Sequence, residues 1–452
     1  MATQTLTNFD AILKNVYRGP IVEQLNQESY AIDQFERVAA NDMGSFSGKQ
    51  VIFPIHTGRN RGRASITDGG VLPTAGTQSY ADGYVTMRYF TQGIELSDQV
   101  IKQSETNEGA FVRAMTAEVE GATTDLRKDI NRQVYGTGNA VLATVRTAVS
   151  AGAATSVDVD SFQYISVGDA IDIVRADGTV ANAGIVVTGV AAAAGAAQNS
   201  ATQTNGVISF NSVTAPTGGW PTTATIRLAN PASVAGTNTT TNAYPGSESD
   251  GFRNITQTSG ALHQINPDAA TSVNPAVPLW KGTEVDANYS TAANSLEDLY
   301  IRLAQNIRKV SSKSPDVFLT TLGAQRRLAN QFVSQKRWQD AKSLEMQEGY
   351  SAIMIASGAK PVPVIADVDA PAGFVFGLQK SSFAWSELQK PDWLSAPDGK
   401  GSILTLKTGA SAGTRNAVWQ AWLGWYAALT CVARNQNGRI INVADDIPVA
   451  RV

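Results

Sequence analysis

The stretch "NEGAFVRAMTAEVEGATTDLRKDINRQVYG" constrains the fold more than any other part of the chain. Phe111, Met115, Val119, Ala122, Leu126, Ile130 and Val134 follow one another at intervals of three or four. A helix of about 27 residues, about 40 Å at 1.5 Å each, therefore carries one apolar stripe that something must cover. Two segments of strand character precede it, "KQVIFPI" (49–55) and "SYADGYVTMRYFTQGIEL" (79–96), both rich in β-branched and aromatic residues. Between them lies the glycine-rich "GRNRGRASITDGGVLPTAG" (58–76). The simplest reading is a long two-stranded arm with an irregular tip.

After Gly136 the composition changes. No lysine occurs between Lys128 and Lys281, and Ala, Thr, Ser, Asn, Gly and Val dominate. The pieces "SVDVDSF", "DAIDIVRADGTV", "AGIVVTGV", "NGVISFNSV" and "TATIRLAN" alternate with turn signals, which predicts a small antiparallel β domain over about 145–235. Within it "AAAAGAAQNSATQTN" reads as a mobile loop, and 231–280, rich in Asn, Thr, Ser and Pro, as an extended return path.

Helical patterning resumes at "NSLEDLYIRLAQNIRKV", where Leu296, Leu299, Leu303, Ile307 and Val310 share a face and Ser295 can cap with Asp298. "PDVFLTT" then reads as a buried strand and "LGAQRRLANQFVSQ" as a helix. "KPVPVIADVDAPAGFVFGLQKSSFAW" reads as strands joined by a proline-glycine turn, which makes the class mixed α+β. "AVWQAWLGWYAALT" is apolar at nearly every position, so its period cannot decide between helix and strand, and Asn437-Gly438 fits a tight hairpin turn. At the other end, Ile12, Leu13, Val16 and Tyr17, then Ile21, Val22 and Leu25 beyond a Gly-Pro break, suggest two short amphipathic helices over 8–36. Their stripe is thin, as in a segment that docks on something larger, such as another copy.

Length and composition narrow the function. A chain of 452 residues implies two to four domains, and a formal charge of -3 argues against a protein whose main task is coating a polyanion. Charged residues are only 17%, below the roughly 25% of ordinary soluble domains; a surface this poor in charge is often covered by partners. No apolar run approaches the roughly 20 residues that cross a bilayer. The start lacks a signal-peptide pattern, so synthesis in a cytosol is expected. The single Cys431 cannot form an internal disulfide and reads as a small buried hydrophobe.

Catalytic constellations are mostly missing. With only His56, His263 and one cysteine, Cys/His zinc sites and an HExxH pair are excluded on count. No G-x-S-x-G elbow appears, and His56 reads as structural. "GSFSGKQ" lacks the frame of a P-loop and reads as a turn into Val51, while "YGTGNAVLA" reads as a helix stop. "DVDAPAG" has Pro371 where a calcium ligand belongs, and Asp158 and Asp160 fall two apart on a strand, as solvated faces commonly show. No cofactor is expected and the chain does not read as an enzyme. Arg59, Arg61 and Arg63 could grip nucleic acid, but no aromatic is interleaved and Asp68 lies just downstream. Arginine also pairs with carboxylates at protein interfaces, and a solvated hairpin tip is the plain alternative.

The order of these segments resembles the major capsid proteins of tailed bacteriophages, which share the Hong Kong 97 fold. "DAILKNVYRGPIVEQLN" is similar to the family's N-terminal arm, "FPIHTGRNRGRASITDGGVLPTAGTQSYADGYVTMRYFTQGIELSDQVIK" to its extended loop, and "AFVRAMTAEVEGATTDLRKDINRQVYGTG" to its spine helix. "SPDVFLTT", "GAKPVPVIADVDAPAGFVFGLQKSSFAW" and "RNQNGRIINV" are similar to the peripheral and axial segments. The resemblance implies an N-terminal arm over 1–50, an extended loop and flanking strands over 51–100, and a spine helix of the peripheral domain over 101–138. A mostly β insertion domain with its return path would span 139–260, and the remaining peripheral and axial segments 261–452.

The function implied is structural. Hexamers and pentamers of the chain would close into an icosahedral shell around double-stranded DNA, which is cargo bound without sequence preference. A separate scaffolding protein, a portal and a cement or decoration protein are the other expected partners, with no membrane partner. Localisation in the virion follows, after assembly in the host bacterial cytoplasm. Arg59, Arg61, Arg63 and Asp68 become candidate inter-subunit contacts. Some family members weld their shells through a lysine on the extended loop, but none occurs here between Lys49 and Lys102, so a shell without covalent cross-links is expected. An encapsulin-like nanocompartment shell is the alternative within the fold, and a β-rich surface adhesin the alternative from another class.

Overall fold

The structure is a computed structural model, and it describes residues 30–43, 45–46, 50–99, 102, 108–193, 197–198, 206–229, 248–289, 295–331, 353–356, 360–394, 405–408 and 415–446. The two amphipathic helices expected over 8–36 lie almost wholly outside these residues, as do most of the loop expected at 191–205, the start of the return path and the end of the helix expected at 322–335. The chain divides into two compact units, with Met87–Asn131 and Glu387–Ala427 in the first and Glu28–Thr86, Arg132–Ser386 and Ala428–Val452 in the second.

The first unit is a sheet backed by the long helix. The apolar run that periodicity left open is a strand, Arg415–Cys431, and Arg88–Ser97 pairs with it antiparallel from Ser97↔Val418 to Arg88↔Ala427. Residues directly opposite share a face. Ile94 and Ala421 therefore point together, and with Val119 and Trp393 they pack against Ala122 of the helix Glu108–Val134. Phe90 and Trp425 lie on the same face, ring centroids 5.4 Å apart. On the other face Trp422 lies across Gly93, where a Cβ would come within 2.6 Å of the indole. Of the helix's expected stripe, Ala122, Leu126, Ile130 and Val134 are buried and Val119 is half-buried, while the side chains of Phe111 and Met115 lie outside the description.

One expectation is corrected here. The run 79–96 is two strands rather than one: Ser79–Thr86 pairs with Gln50–Gly58, and Arg88–Ser97 joins the sheet of Arg415–Cys431. The break falls at Met87, which is buried. Continuous β propensity gave no sign that the chain changes partner there, because propensity reports a pleated, half-buried setting and not which strand is adjacent.

In the second unit, the alternating segments after the helix form a six-stranded antiparallel sheet in the order Val141–Thr144, Thr225–Leu228, Ala170–Val174, Val180–Ala192, Gly206–Ala215, Gly152–Val159. Its two outer strands meet where Val145 bridges Val159, so the sheet closes on itself and leaves little open edge. Its interior is a separate core that includes Phe162, Ile165, Ile171, Ile173, Phe210 and Trp220. The one polar partner that Trp220 needs inside that core is Asn182, whose Oδ1 accepts the indole N–H at 2.8 Å.

A second six-stranded sheet is mixed, in the order Thr283–Asp286, Gly438–Ile441, Val375–Leu378, Val317–Thr320, Pro361–Ala366, Ile353–Ala356. Helix Ser295–Ser311 buries Leu296, Leu299, Leu303 and Ile307 in its core, as the spacing predicts, but Val310 is exposed in the last turn. Asn437-Gly438 forms no hairpin. Asn437 is extended (φ -121°, ψ 154°), and its side chain accepts from Gln379 N at 2.9 Å and donates to Ser382 Oγ and Ala433 O. Gly438 serves close approach to the parallel strand instead, since a Cβ there would sit 2.6 Å from Thr283 O.

Residues 248–282 are not an extended path. They hold a short helix, Phe252–Ile255, and bury Phe252, Ile255, Leu262, Ile265 and Trp280. Arg434 organises them. Fully buried, it donates to five backbone carbonyls, those of Asn254, Ile255, Ser259, Gly260 and Trp280, at 2.8–3.2 Å. Burial lowers its pKa to about 10, because water no longer solvates the cation. Composition favoured loop here; a single arginine that satisfies five carbonyls overrode it.

Candidate assembly surface

The site residues sit on the arm. Gln50–Gly58 and Ser79–Thr86 pair antiparallel from Gln50↔Thr86 to Gly58↔Ser79. The ladder buries Val51, Phe53, Ala81 and Val85, while Pro54, His56 and Tyr80 are exposed. The root is anchored along the outer edge of Ser79–Thr86. Asn274 accepts from Asp82 N at 3.0 Å and donates to Asp82 O at 2.7 Å, in the manner of one more strand residue. His263 O accepts from Tyr84 N at 2.9 Å. The buried His263 ring accepts the Cys431 N–H at Nε2, 3.1 Å away, so its proton resides on Nδ1, which faces Asp250 Oδ2 at 3.9 Å.

At the neck of the tip, polar side chains replace the ladder. Asn60 donates to Gly76 O at 2.6 Å and accepts from Gly62 N at 2.7 Å, and Gln78 Oε1 accepts from Asn60 N and meets His56 Nε2 at 2.8 Å. The glycines at this point are spatial requirements: a Cβ on Gly76 would lie 2.5 Å from Asn60 Oδ1, and one on Gly62 2.6 Å from Thr74 O. His56 thus has the structural role its position suggests. Beyond the neck the chain forms no strand, and Gly69, with φ +73°, turns it back.

Arg59, Arg61, Arg63 and Asp68 are all exposed on this tip, and among the described residues no ion pair holds any of them. Val71 and Leu72 beside them are 92% and 76% exposed. Sequence reasoning singled out the arginines and missed this apolar pair, although a Val-Leu step between Gly70 and Pro73 was legible. It also missed the anchors, because Asn274 and His263 are remote in sequence from the strand they hold.

Elsewhere the polar groups are used structurally. Cys431 is fully buried, and burial pushes its thiol up to about 12, so it is inert. Asp367 Oδ2, in the rejected calcium-like loop, accepts from Tyr135 Oη and Ala31 N, and Asp160 accepts from Thr144 N. Among the described residues no group of three or more His, Cys, Asp or Glu could hold a metal ion, and no helix is long and apolar enough to cross a membrane.

No family model matches the sequence, and no curated protein matches it. Solved structures do. A chain of the cyanophage A-1(L) capsid asymmetric unit is similar at a TM-score of 0.52 and 12% identity, over 95% of this chain and 96% of that one. Weaker likenesses are to a chain of the capsid of Myoviridae phage XM1 (TM-score 0.43, 8% identity, 95% and 96% covered) and to one of the holo-SrpI encapsulin complex of Synechococcus elongatus (0.39, 10%, 98% and 97%). The chain has the fold of phage capsid proteins, the fold its sequence blocks resemble.

Proposed function

We propose that this chain is the major capsid protein of a tailed phage, a subunit that assembles as hexamers and pentamers into an icosahedral shell around double-stranded DNA. The observation that carries the reading is the likeness to the cyanophage A-1(L) capsid chain, which takes in 95% of this chain rather than one module. In this reading residues 1–50 are the N-terminal arm, 51–100 the extended loop with its flanking strands and 101–138 the spine helix. The closed β sheet and its return path, 139–260, are an insertion domain, and 261–452 are the remaining peripheral and axial segments.

The chain acts by shape and contact, without catalysis or cofactor. An arm whose tip is charged and apolar and has no cover among the described residues is suited to a subunit stabilised by neighbours. Arg59, Arg61, Arg63 and Asp68 pair with groups of opposite charge on adjacent subunits. The shell is non-covalent, since the arm lacks lysine, and boiled particles should run as a single band on a denaturing gel. Scaffolding, portal and cement proteins are separate chains. Expression with and without a scaffolding partner, followed by electron microscopy and a nuclease-protection assay, tests the reading. Closed shells that protect DNA after packaging support it, and a chain that stays monomeric under all conditions overturns it.

A further inference from the structure

The outer side of two helices in the second unit carries one sign of charge. Helices Ser295–Ser311 and Leu322–Gln331 lie on the same face of the mixed sheet, because Leu299, Leu303 and Ile307 of the first share one core with Ala324 and Leu328 of the second. Their polar sides therefore point together, away from the sheet. On that side Arg302, Arg308, Lys309 and Arg326 are exposed, Arg327 is half-buried, and Lys313 is exposed just past the first helix. Between Asp298 and Asp316 the chain has four cations and no acid. Arg302, Arg308, Lys309, Lys313 and Arg327 have no ion-pair partner among the described residues. Asp316 does not serve them: it pairs with Lys360 and accepts from Lys380 N at 2.9 Å.

Helix electrostatics explain only part of this. Cations in a last turn offset the carbonyl end of the dipole, which accounts for Arg308 and Lys309. Arg302 lies two turns, about 10 Å, before Lys309. Lys313 lies beyond the helix and Arg327 belongs to the other one, so the dipole calls for none of these three. Elsewhere cations are matched, as Arg132 is with Glu248, Lys407 with Glu95 and Arg439 with Glu284. In a chain of net charge -3, such a concentration suits a polyanionic ligand.

We infer that this face binds the phosphate backbone of duplex DNA and lines the inside of the shell; its placement inside rests on the shell reading. A single strand fits less well, since no aromatic exposed on either helix offers a stacking platform. An acidic peptide also fits less well. Duplex phosphates supply one charge per about 1.7 Å of axis, against one carboxylate per about 3.4 Å of extended chain. A few such contacts per subunit give weak, salt-sensitive binding without sequence preference, repeated over the shell.

Two measurements test the inference. The first is the binding of a fluorescein-labelled duplex of about 20 base pairs to the purified chain, followed by anisotropy across a salt series. Arg302→Gln, Lys309→Gln, Lys313→Gln should weaken binding at least about tenfold at about 50 mM salt, and make the slope of log affinity against log salt shallower by about 2.7, or 0.9 per phosphate contact. The matched variant Lys281→Gln, Lys390→Gln, Arg415→Gln removes three exposed cations on other elements and should bind like wild type. No binding at low salt, or an equal loss in both variants, overturns the site. Displacement of the duplex by polyglutamate at equal charge concentration identifies an acidic protein segment as the partner and overturns DNA. The second measurement uses wild-type particles, in which Lys309 and Lys313 should lose reactivity toward a water-soluble acetylating ester when DNA fills the shell and regain it when the DNA is released. Closed shells whose two lysines react alike in both states overturn the inference and leave the shell reading standing. A chain that binds the duplex through this face yet never closes into shells keeps the DNA contact and removes the shell reading.

Discussion

Tyr135, the residue after the long helix, donates its hydroxyl to Asp367 Oδ2 at 2.9 Å inside a ring cluster that includes Phe252 and Phe376. The same carboxylate oxygen accepts from Ala31 N, and Oδ1 accepts from Asp369 N. One buried carboxylate thus joins the end of the helix, the 367–370 loop and the beginning of the described chain. Burial first, and then the nearby Asp367, raise the Tyr135 pKa well above the ordinary tyrosine value. Tyr135→Phe removes a donor from a buried anion and should destabilise by about 1–3 kcal/mol, read as a lower Tm with an unchanged far-ultraviolet circular dichroism spectrum.

Arg434 should be the most sensitive single position in the second unit. Arg434→Ala strands five buried carbonyls at once, and the expected loss is about 3–5 kcal/mol, comparable with breaking a buried ionic contact. Arg434→Lys should recover only part of it, because three ammonium donors cannot replace a planar fork of five. Denaturant midpoints of the two variants check this; equal stability of Lys and wild type would mean the carbonyls do not depend on the fork.

Glu118 gives a pH signature on the long helix. Burial, and to a lesser degree Asp125, raise its pKa above the usual 4.5. A raised folded value means that protonation favours the folded state, so the contribution is full below about 4.5 and is lost as pH rises through the folded value. Glu118→Gln should therefore raise Tm at pH 7 and lose that advantage as the pH approaches 4.5. A gain independent of pH would assign the effect to something other than the charge.

Charge reversal at the tip separates folding from assembly. Arg59→Glu, Arg61→Glu, Arg63→Glu alters three exposed side chains without ion-pair partners among the described residues, so unfolding free energy should stay within about 0.5 kcal/mol of wild type. Particle formation should be abolished. Variants that assemble normally and fail only to retain DNA would restore the nucleic-acid reading of this loop.

What the sequence made legible follows from the range of each interaction. The 3.6-residue stripe of Ala122, Leu126, Ile130 and Val134 and the alternation in the closed β sheet are local patterns, so both elements could be read directly. The change of partner at Met87 could not, because Ser79–Thr86 and Arg88–Ser97 share one propensity and differ only in which distant strand they meet. Asn437-Gly438 misled because its glycine answers to Thr283 rather than to a turn, a contact across more than a hundred residues. At the arm, the arginines were visible as a motif. Their setting was not: the anchors at Asn274 and His263 hold the arm's root from positions far off in sequence and are products of tertiary placement.

The central claim is that this chain is a shell subunit, and electron microscopy of the purified wild-type chain, produced with its scaffolding partner, tests it most directly. Closed icosahedral particles with pentamers at the vertices and hexamers between them are the expected result. A homogeneous monomer, well folded by its thermal unfolding yet never closing into particles, would contradict the account.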